Sequence, residues 1–134
     1  MGNDEVNVIE AGKNYGWPVV QGIAGNPNYV DPILVFTPSV APSGATFYDG
    51  SQLSDWSGNL FFASLRGQHL HRVVLGDSSS RVVLSEERLF EGTYGRLRDV
   101  AQGPDGYLYF CTNNRDGRGN PTAEDDRILR IVPQ

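Results

Sequence analysis

Cysteine, long apolar runs and helix signals are scarce in this sequence, and each shortage excludes a class of protein. The 134 residues contain one cysteine, Cys111, so no disulfide can form within the chain. Because Cys111 falls in an apolar, strand-like run, we expect a buried and unreactive thiol. No apolar run approaches the length of a membrane span. These shortages exclude a disulfide framework and a membrane-spanning helix from this stretch.

Positive charge is also in short supply. Eleven Lys and Arg residues stand against sixteen Asp and Glu, giving a net charge of −5 and an isoelectric point near 4.8. A general nucleic-acid binder needs a basic surface to neutralise phosphates, so we expect no nucleic-acid partner. The opening residues, Met1 to Glu5, are acidic and polar and show no secretory signal peptide.

Turn-forming residues are abundant instead. Sixteen glycines and eight prolines separate short apolar runs, which is typical of an all-β chain. The only window that suggests a helix, Ser85 to Glu91, is too short. The predicted strands are Val6 to Ile9, Ala45 to Tyr48, Asn59 to Ser64, His69 to Leu75, Arg81 to Leu84 with an extension toward Phe90, Leu97 to Gln102, Tyr107 to Thr112 and Arg127 to Val132.

These strands repeat in two cycles of about 40 to 50 residues, the length of a β-propeller blade. We predict that residues 45–91 form a full four-stranded blade and residues 92–134 a second blade of three strands. Residues 1–44 would form the end of a preceding blade and a long loop. Val6 to Ile9 is predicted to complete the last blade, within the chain or in a neighbour. Exposed strand edges pair readily, so a homo-oligomer through the blade edges is a further hypothesis.

Two arginines, Arg96 and Arg98, are spaced by two in the run GTYGRLRDVAQGPDG. Alternate side chains of a strand share a face, so both guanidiniums should point the same way. They would repel unless an anion lies near them. Alternatively, both could lie on a solvated edge or be satisfied by Asp99 and nearby glutamates. The following Pro104-Asp105-Gly106 predicts a tight turn.

Other polar groupings carry weaker signals. His69 and His71 share a strand face but lack a third ligand at metal spacing, so we interpret them as half-buried polar residues. The acidic run from Asn113 to Asp126 has glycine and carboxylates without the pattern of a helix-flanked calcium loop. We predict a long, mobile connection between blades there.

Four motifs together resemble the C-terminal part of the soluble quinoprotein glucose dehydrogenases. They resemble more closely the aldose sugar dehydrogenases of the glucose/sorbosone dehydrogenase family. The motifs are GKNYGWP (12–18), SVAPSGATFY (39–48), LRGQHLHRV (65–73) and the arginine run at 92–106. The resemblance implies part of a six-bladed β-propeller that oxidises sugars with pyrroloquinoline quinone (PQQ) and calcium. About two blades of that fold would lie in this chain.

The resemblance also implies a cofactor site. Arg66, Arg96 and Arg98 stand where family members place basic residues that contact PQQ. PQQ carries three carboxylates, and arginine binds carboxylate bidentately through its planar fork. Three unrelated surface arginines are the alternative interpretation.

A calcium site is implied by the frame NDEVNVIEAGKNYGWP, in which Glu5 and Tyr15 match oxygen ligands of the family. Asp4 is a weaker candidate. Calcium needs several more oxygens, which carbonyls of residues 21–23 could add. Alternatively, Glu5 is a solvated charge and Tyr15 a packing residue.

The resemblance therefore implies a stretch of a periplasmic or secreted oxidoreductase that converts aldoses to lactones. The family's catalytic histidine has no counterpart in these residues, so we expect the chain alone to be inactive. An alternative function is a non-catalytic carbohydrate-binding or protein-interaction propeller module.

Overall fold

The computed structural model describes residues 2–76 and 81–133. These residues form nine short strands, one 3₁₀ turn at Ser54–Trp56 and no α-helix, which confirms the all-β prediction. The strands are β1 (Asp4–Val6), β2 (Leu34–Phe36), β3 (Pro42–Phe47), β4 (Leu60–Ser64), β5 (His69–Leu75), β6 (Val83–Leu89), β7 (Leu97–Gln102), β8 (Leu108–Thr112) and β9 (Ile128–Arg130). The described part of the chain contains no helix of the length and apolarity that a membrane crossing requires.

The strands make three antiparallel sheets in which each strand pairs with its neighbour along the chain. β1 pairs with β2, the next four strands form the sheet β3-β4-β5-β6, and the last three form β7-β8-β9. Such meanders need only short turns, and the predicted Pro104-Asp105-Gly106 turn does join β7 to β8. Gly106 adopts φ +81°, which side chains with a Cβ rarely allow. The architecture is the antiparallel strand order predicted for propeller blades.

The strand predicted at Val6 to Ile9 is wrong in position and in partner. β1 ends at Val6 and pairs with β2, placing Glu5 opposite Val35, so it completes no edge of the last sheet within this chain. The Tyr15 hydroxyl donates to the Val8 carbonyl at 2.8 Å and accepts the Glu10 N–H at 2.7 Å. Backbone groups held by a side chain cannot extend a strand ladder, so β1 stops early.

Strand β4 is buried on both faces and separates two apolar cores. Phe61 points into a core shared with the last sheet, where it joins Leu97 and Leu108. The next residue, Phe62, points the opposite way, into a smaller core with Phe36. The alternation follows from the two-residue period of a strand. The middle sheet is therefore packed between the other two, and its strand ends can contribute to a site on either side.

Tyr48 ties the middle sheet to the β7–β8 turn, and its hydroxyl carries a testable prediction. The fully buried hydroxyl donates to the Gly106 carbonyl at 2.6 Å and accepts the Leu53 N–H at 2.9 Å. Tyr48→Phe leaves both backbone groups unpaired, so we expect the free energy of unfolding to fall by about 1–3 kcal/mol.

Urea denaturation measures this loss, and Tyr29→Phe is the matched control because the Tyr29 hydroxyl makes no hydrogen bond within the described residues. The control should stay within about 0.5 kcal/mol of the unmodified chain. Equal losses in the two variants would show that the Tyr48 bridge contributes nothing.

Candidate functional site

The two arginines of the sequence motif flank an anchored residue at the start of β7. Leu97 lies between them and is fully buried in the larger core. Arg96 precedes β7 and is itself largely buried, with a side chain that is 11% exposed, whereas Arg98 lies at a β-bulge between Leu97 and Asp99. The guanidiniums of Arg96 and Arg98 approach one carboxylate, that of Asp116. Both guanidiniums lie on the side of Asp116, although the bulge and the burial of Arg96 depart from the regular strand on which the predicted shared direction rested.

Arg96 is held firmly from three directions. Its Nε and Nη2 donate to Asp116 Oδ2 at 3.0 and 2.7 Å, and its Nη1 donates to the Leu65 carbonyl at 3.2 Å. The Arg96 N–H donates to the Asn114 side chain at 2.8 Å. A guanidinium has five N–H donors, of which three are used here, so two remain without a partner in the described residues.

Arg98 is held much more loosely. Its side chain is 49% exposed, and its nearest contact with Asp116 Oδ2 is 4.0 Å. Asp116 also accepts the Asn113 side-chain amide and the Arg118 N–H, both at 2.9 Å. The hydrogen bond from Arg96 is the main reason that the pKa of Asp116 lies below its usual value. Asp116 is therefore a charged, fixed counter-ion shared by both arginines. Asp99, the partner suggested by the sequence, instead accepts the Val100 N–H.

Arg66 lies in the turn between β4 and β5, directly beside the carbonyl that Arg96 binds. Its N–H donates to the Val40 carbonyl at 3.0 Å, while its side chain is exposed. A groove of about 360 Å³ borders this turn, lined on one side by residues 35–40 and on the other by Glu86, Arg88 and Glu91. The structure thus brings the Arg66 turn and the Arg96–Arg98 pair to the junction of two sheets.

Asp116 belongs to the run predicted as a mobile connection between blades, and that prediction is corrected. The run joins β8 to β9 within one sheet. Side-chain hydrogen bonds organise it: Asp126 Oδ1 accepts the Asn114 N–H at 2.6 Å, and Asn114 Nδ2 donates to the Tyr94 carbonyl at 2.9 Å. This loop places Asp116 against the arginines, and its sequence signals are the turn-forming pairs Asp116-Gly117 and Asn120-Pro121.

Asp125 fixes the return of this loop and gives a pH prediction. Its Oδ2 accepts the Thr122 N–H at 2.8 Å, the main reason that its pKa falls from 3.8 to about 2. A pKa depressed by folding stabilises the native state above the unfolded value, and this stabilisation is lost as the pH falls from 3.8 toward 2. We expect Asp125→Asn to lower the melting temperature near neutral pH, by a margin that shrinks in acid.

Circular dichroism melts between about pH 5 and pH 2 measure this margin. Asp55→Asn is the control, because the exposed Asp55 carboxylate has no hydrogen bond within residues 2–76 and 81–133. A margin that is constant with pH would contradict the assignment.

Glu5 and Tyr15 border one shallow depression, as the predicted calcium site requires. Glu5 Oε1 accepts the Gly22 N–H at 2.5 Å, so the segment expected to add ligands does lie against Glu5. The Tyr15 hydroxyl already serves two backbone groups. Asp4 also borders the depression, but its carboxylate already accepts the Ser39 hydroxyl at 2.6 Å and the Ala41 N–H at 2.8 Å. No group of three His, Cys, Asp or Glu side chains suited to a metal occurs among the described residues.

Comparison with known proteins identifies the family of this chain. The sequence pattern of the family described as Glucose / Sorbosone dehydrogenase matches residues 1–130. The chain belongs to the glucose/sorbosone dehydrogenase family.

Two solved structures of dehydrogenases are similar to this chain. The putative oxidoreductase (glucose dehydrogenase) of Thermus thermophilus is 45% identical, with a TM-score of 0.83 over 98% of this chain and 37% of that one. The PQQ-bound form of the aldose sugar dehydrogenase of Streptomyces coelicolor is 36% identical, with a TM-score of 0.81 over 97% of this chain and 36% of that one. The chain is thus a propeller fragment of this family.

Curated relatives of the family match in the same way. The aldose sugar dehydrogenase YliI of Escherichia coli is 30% identical over 149 residues, which cover 99% of this chain and 36% of YliI. The chain therefore spans about a third of the length of these relatives.

Proposed function

We propose that this chain carries one wall of the PQQ site of a quinoprotein sugar dehydrogenase, with Arg66, Arg96 and Arg98 as the anion-binding residues. The longer protein would oxidise aldoses to lactones. One observation carries the proposal: Arg96 links the other two, sharing Asp116 with Arg98 and binding the Leu65 carbonyl beside Arg66.

The charges of these residues fit a ligand with several carboxylates. Arg96 and Arg98 share the single carboxylate of Asp116, so this group has a net charge of +1, and Arg66 adds a further positive charge nearby. Arg66 has no ion-pair partner within the described residues, and Arg96 keeps two unused N–H donors. Arginine binds planar carboxylates bidentately, which suits a tricarboxylate better than a neutral sugar.

Bound PQQ would supply the two-electron acceptor, and the residues of this chain would hold and orient it. Arg96 is fixed by Asp116 before any ligand arrives, so it needs little reordering on binding. A general base must reach its proton within hydrogen-bond distance. His69 and His71 are buried and bonded to each other, so neither serves as that base. We therefore expect no turnover from these residues alone.

Calcium has a weaker basis than PQQ. Calcium takes six to eight oxygen ligands. Glu5 offers one carboxylate, already bonded to the Gly22 N–H, and the Tyr15 hydroxyl is engaged by backbone groups. The side chains present do not complete a calcium site, and no step of this proposal depends on calcium.

Isothermal titration calorimetry of the 134-residue chain with PQQ tests the proposal, with citrate as a second tricarboxylate. We expect PQQ to bind more tightly than citrate and the affinity to fall as salt is raised, because partly exposed charges are screened. If neither anion binds, or if both bind with equal affinity, the proposal that Arg66, Arg96 and Arg98 form part of a PQQ site is contradicted.

A further inference from the structure

A chain of hydrogen bonds lies directly behind the Arg66 turn. His69 Nδ1 contacts the Gly67 carbonyl at 3.0 Å, and His69 Nε2 contacts His71 Nδ1 at 3.1 Å. His71 Nε2 reaches Glu86 Oε2 at 3.0 Å. Both imidazoles are buried, 0% and 1% exposed, rather than half-buried as the sequence suggested. These hydrogen bonds run from the turn to the exposed strand β6.

Counting protons fixes the tautomer of His69. A carbonyl only accepts, so His69 Nδ1 must carry the proton of the contact with Gly67. The second nitrogen of a neutral His69 then accepts, from His71 or from the Ser64 hydroxyl at 3.3 Å. The three contacts between Gly67 and Glu86 need three protons, whereas two neutral rings carry two. In every arrangement that satisfies Gly67, the proton on His69 Nδ1 is retained.

The turn is also clamped sterically against His69. A Cβ added to Gly67 would lie 2.6 Å from His69 Cε1 and 3.0 Å from Val40 Cβ. The Gly67 N–H donates to the Val40 carbonyl at 2.9 Å, as does the neighbouring Arg66 N–H at 3.0 Å. Val40 therefore holds one side of the turn and His69 the other. The Arg66 backbone has little freedom while both contacts persist.

We propose that His69 is a positioning residue for Arg66, donating its Nδ1 proton to Gly67 and thereby fixing where the Arg66 guanidinium meets an anion. His71 and Glu86 hold the His69 ring from behind. The inference rests on the proposed PQQ wall, since Arg66 is positioned for the ligand of that site. It assigns a role to two buried histidines that the cofactor-binding arginines alone leave unexplained.

The surroundings keep these histidines neutral near neutral pH. Burial lowers the pKa of both rings, and Arg88 lowers them further, while Glu86 and Glu91 act in the opposite direction. The residues packed from the β2 side, Phe36 and Val40, are apolar. A histidine pKa depressed by folding contributes stability above its unfolded value of 6.5, and this stability is lost as the pH falls below it.

Nitrogen-15 NMR of the unmodified chain tests the tautomer directly. We expect His69 to be protonated on Nδ1 at neutral pH, with a coupling or shift that reports the bond to the Gly67 carbonyl. Protonation on Nε2 instead would overturn the inference without any substitution that risks the fold.

Two substitutions test the positioning role through PQQ affinity. His69→Asn places an amide nitrogen where Nδ1 stood, whereas His69→Gln places one where Nε2 stood. Loss of one neutral hydrogen bond corresponds to about a fivefold change. We expect His69→Asn to bind PQQ within about twofold of the unmodified chain and His69→Gln to bind about fivefold more weakly.

Arg66→Gln completes a double-mutant cycle with His69→Gln. If His69 acts through Arg66, His69→Gln should cause no further loss in the Arg66→Gln background. A full fivefold loss in that background would overturn the role of His69 while leaving the PQQ wall intact. Failure of the unmodified chain to bind PQQ would instead overturn the proposed function on which this inference rests.

Discussion

Replacing Arg96 and Arg98 together by glutamine should weaken PQQ binding by at least about 100-fold. A hydrogen bond to a charged group contributes about 1.5–3 kcal/mol, and 1.4 kcal/mol corresponds to a factor of ten. Each arginine would lose at least one such bond to a ligand carboxylate. The substitution also removes the counter-ions of Asp116, which would then repel the incoming anion. Calorimetric titration of the double variant measures the loss.

Arg130→Gln is a control for the loss of one positive charge at an exposure like that of Arg98. The Arg130 side chain is 50% exposed and lies 3.6 Å from a carboxylate of Asp105, close to the values for Arg98. We expect its PQQ affinity to stay within about twofold of the unmodified chain, because rim charges contribute little. Equal losses in both variants would mean that PQQ responds to net charge rather than to the Arg96–Arg98 pair.

Leu97→Ala should lower the free energy of unfolding by about 2–5 kcal/mol. The side chain is fully buried where the middle and last sheets meet, so its removal leaves a cavity among Phe61, Leu108 and their neighbours. Because Leu97 anchors the backbone between Arg96 and Arg98, PQQ affinity should fall even in the folded fraction. Chemical denaturation and calorimetry together separate the two effects.

Leu84→Ala removes the same atoms from an exposed position on β6 and should change stability by less than about 0.5 kcal/mol. A loss in Leu97→Ala as small as that of the control would show that the junction of the two sheets is not a packed core.

Much of the fold could be predicted because its strands carry strong local signals. The bounds of β5 and β7 agree with the sequence pattern, and the turn after β7 has the expected proline and glycine. β4 was predicted as a strand, and its consecutive apolar residues Phe61 and Phe62 enter different cores on its two faces. The failure at Val6 to Ile9 came from Tyr15, a side chain six or more residues away that takes the backbone groups of the predicted ladder.

The spacing of Arg96 and Arg98 indicated an anion near them, but it did not identify their counter-ion, Asp116. Asp116 follows Arg96 by 20 residues in a loop, and no periodic pattern connects the two. The depth of His69 and His71 was missed for a related reason. Their shared strand face was predicted, but their burial depends on a preceding sheet that supplies Phe36. Contacts between residues far apart in the chain decide these features, and a local pattern does not report them.

A crystal structure of this chain with bound PQQ tests the central claim most directly. The account predicts PQQ carboxylates within hydrogen-bond distance of Arg66, Arg96 and Arg98, with Asp116 retained behind the pair. Density for PQQ at another face, or a bound molecule that leaves these three guanidiniums without a contact, would contradict it.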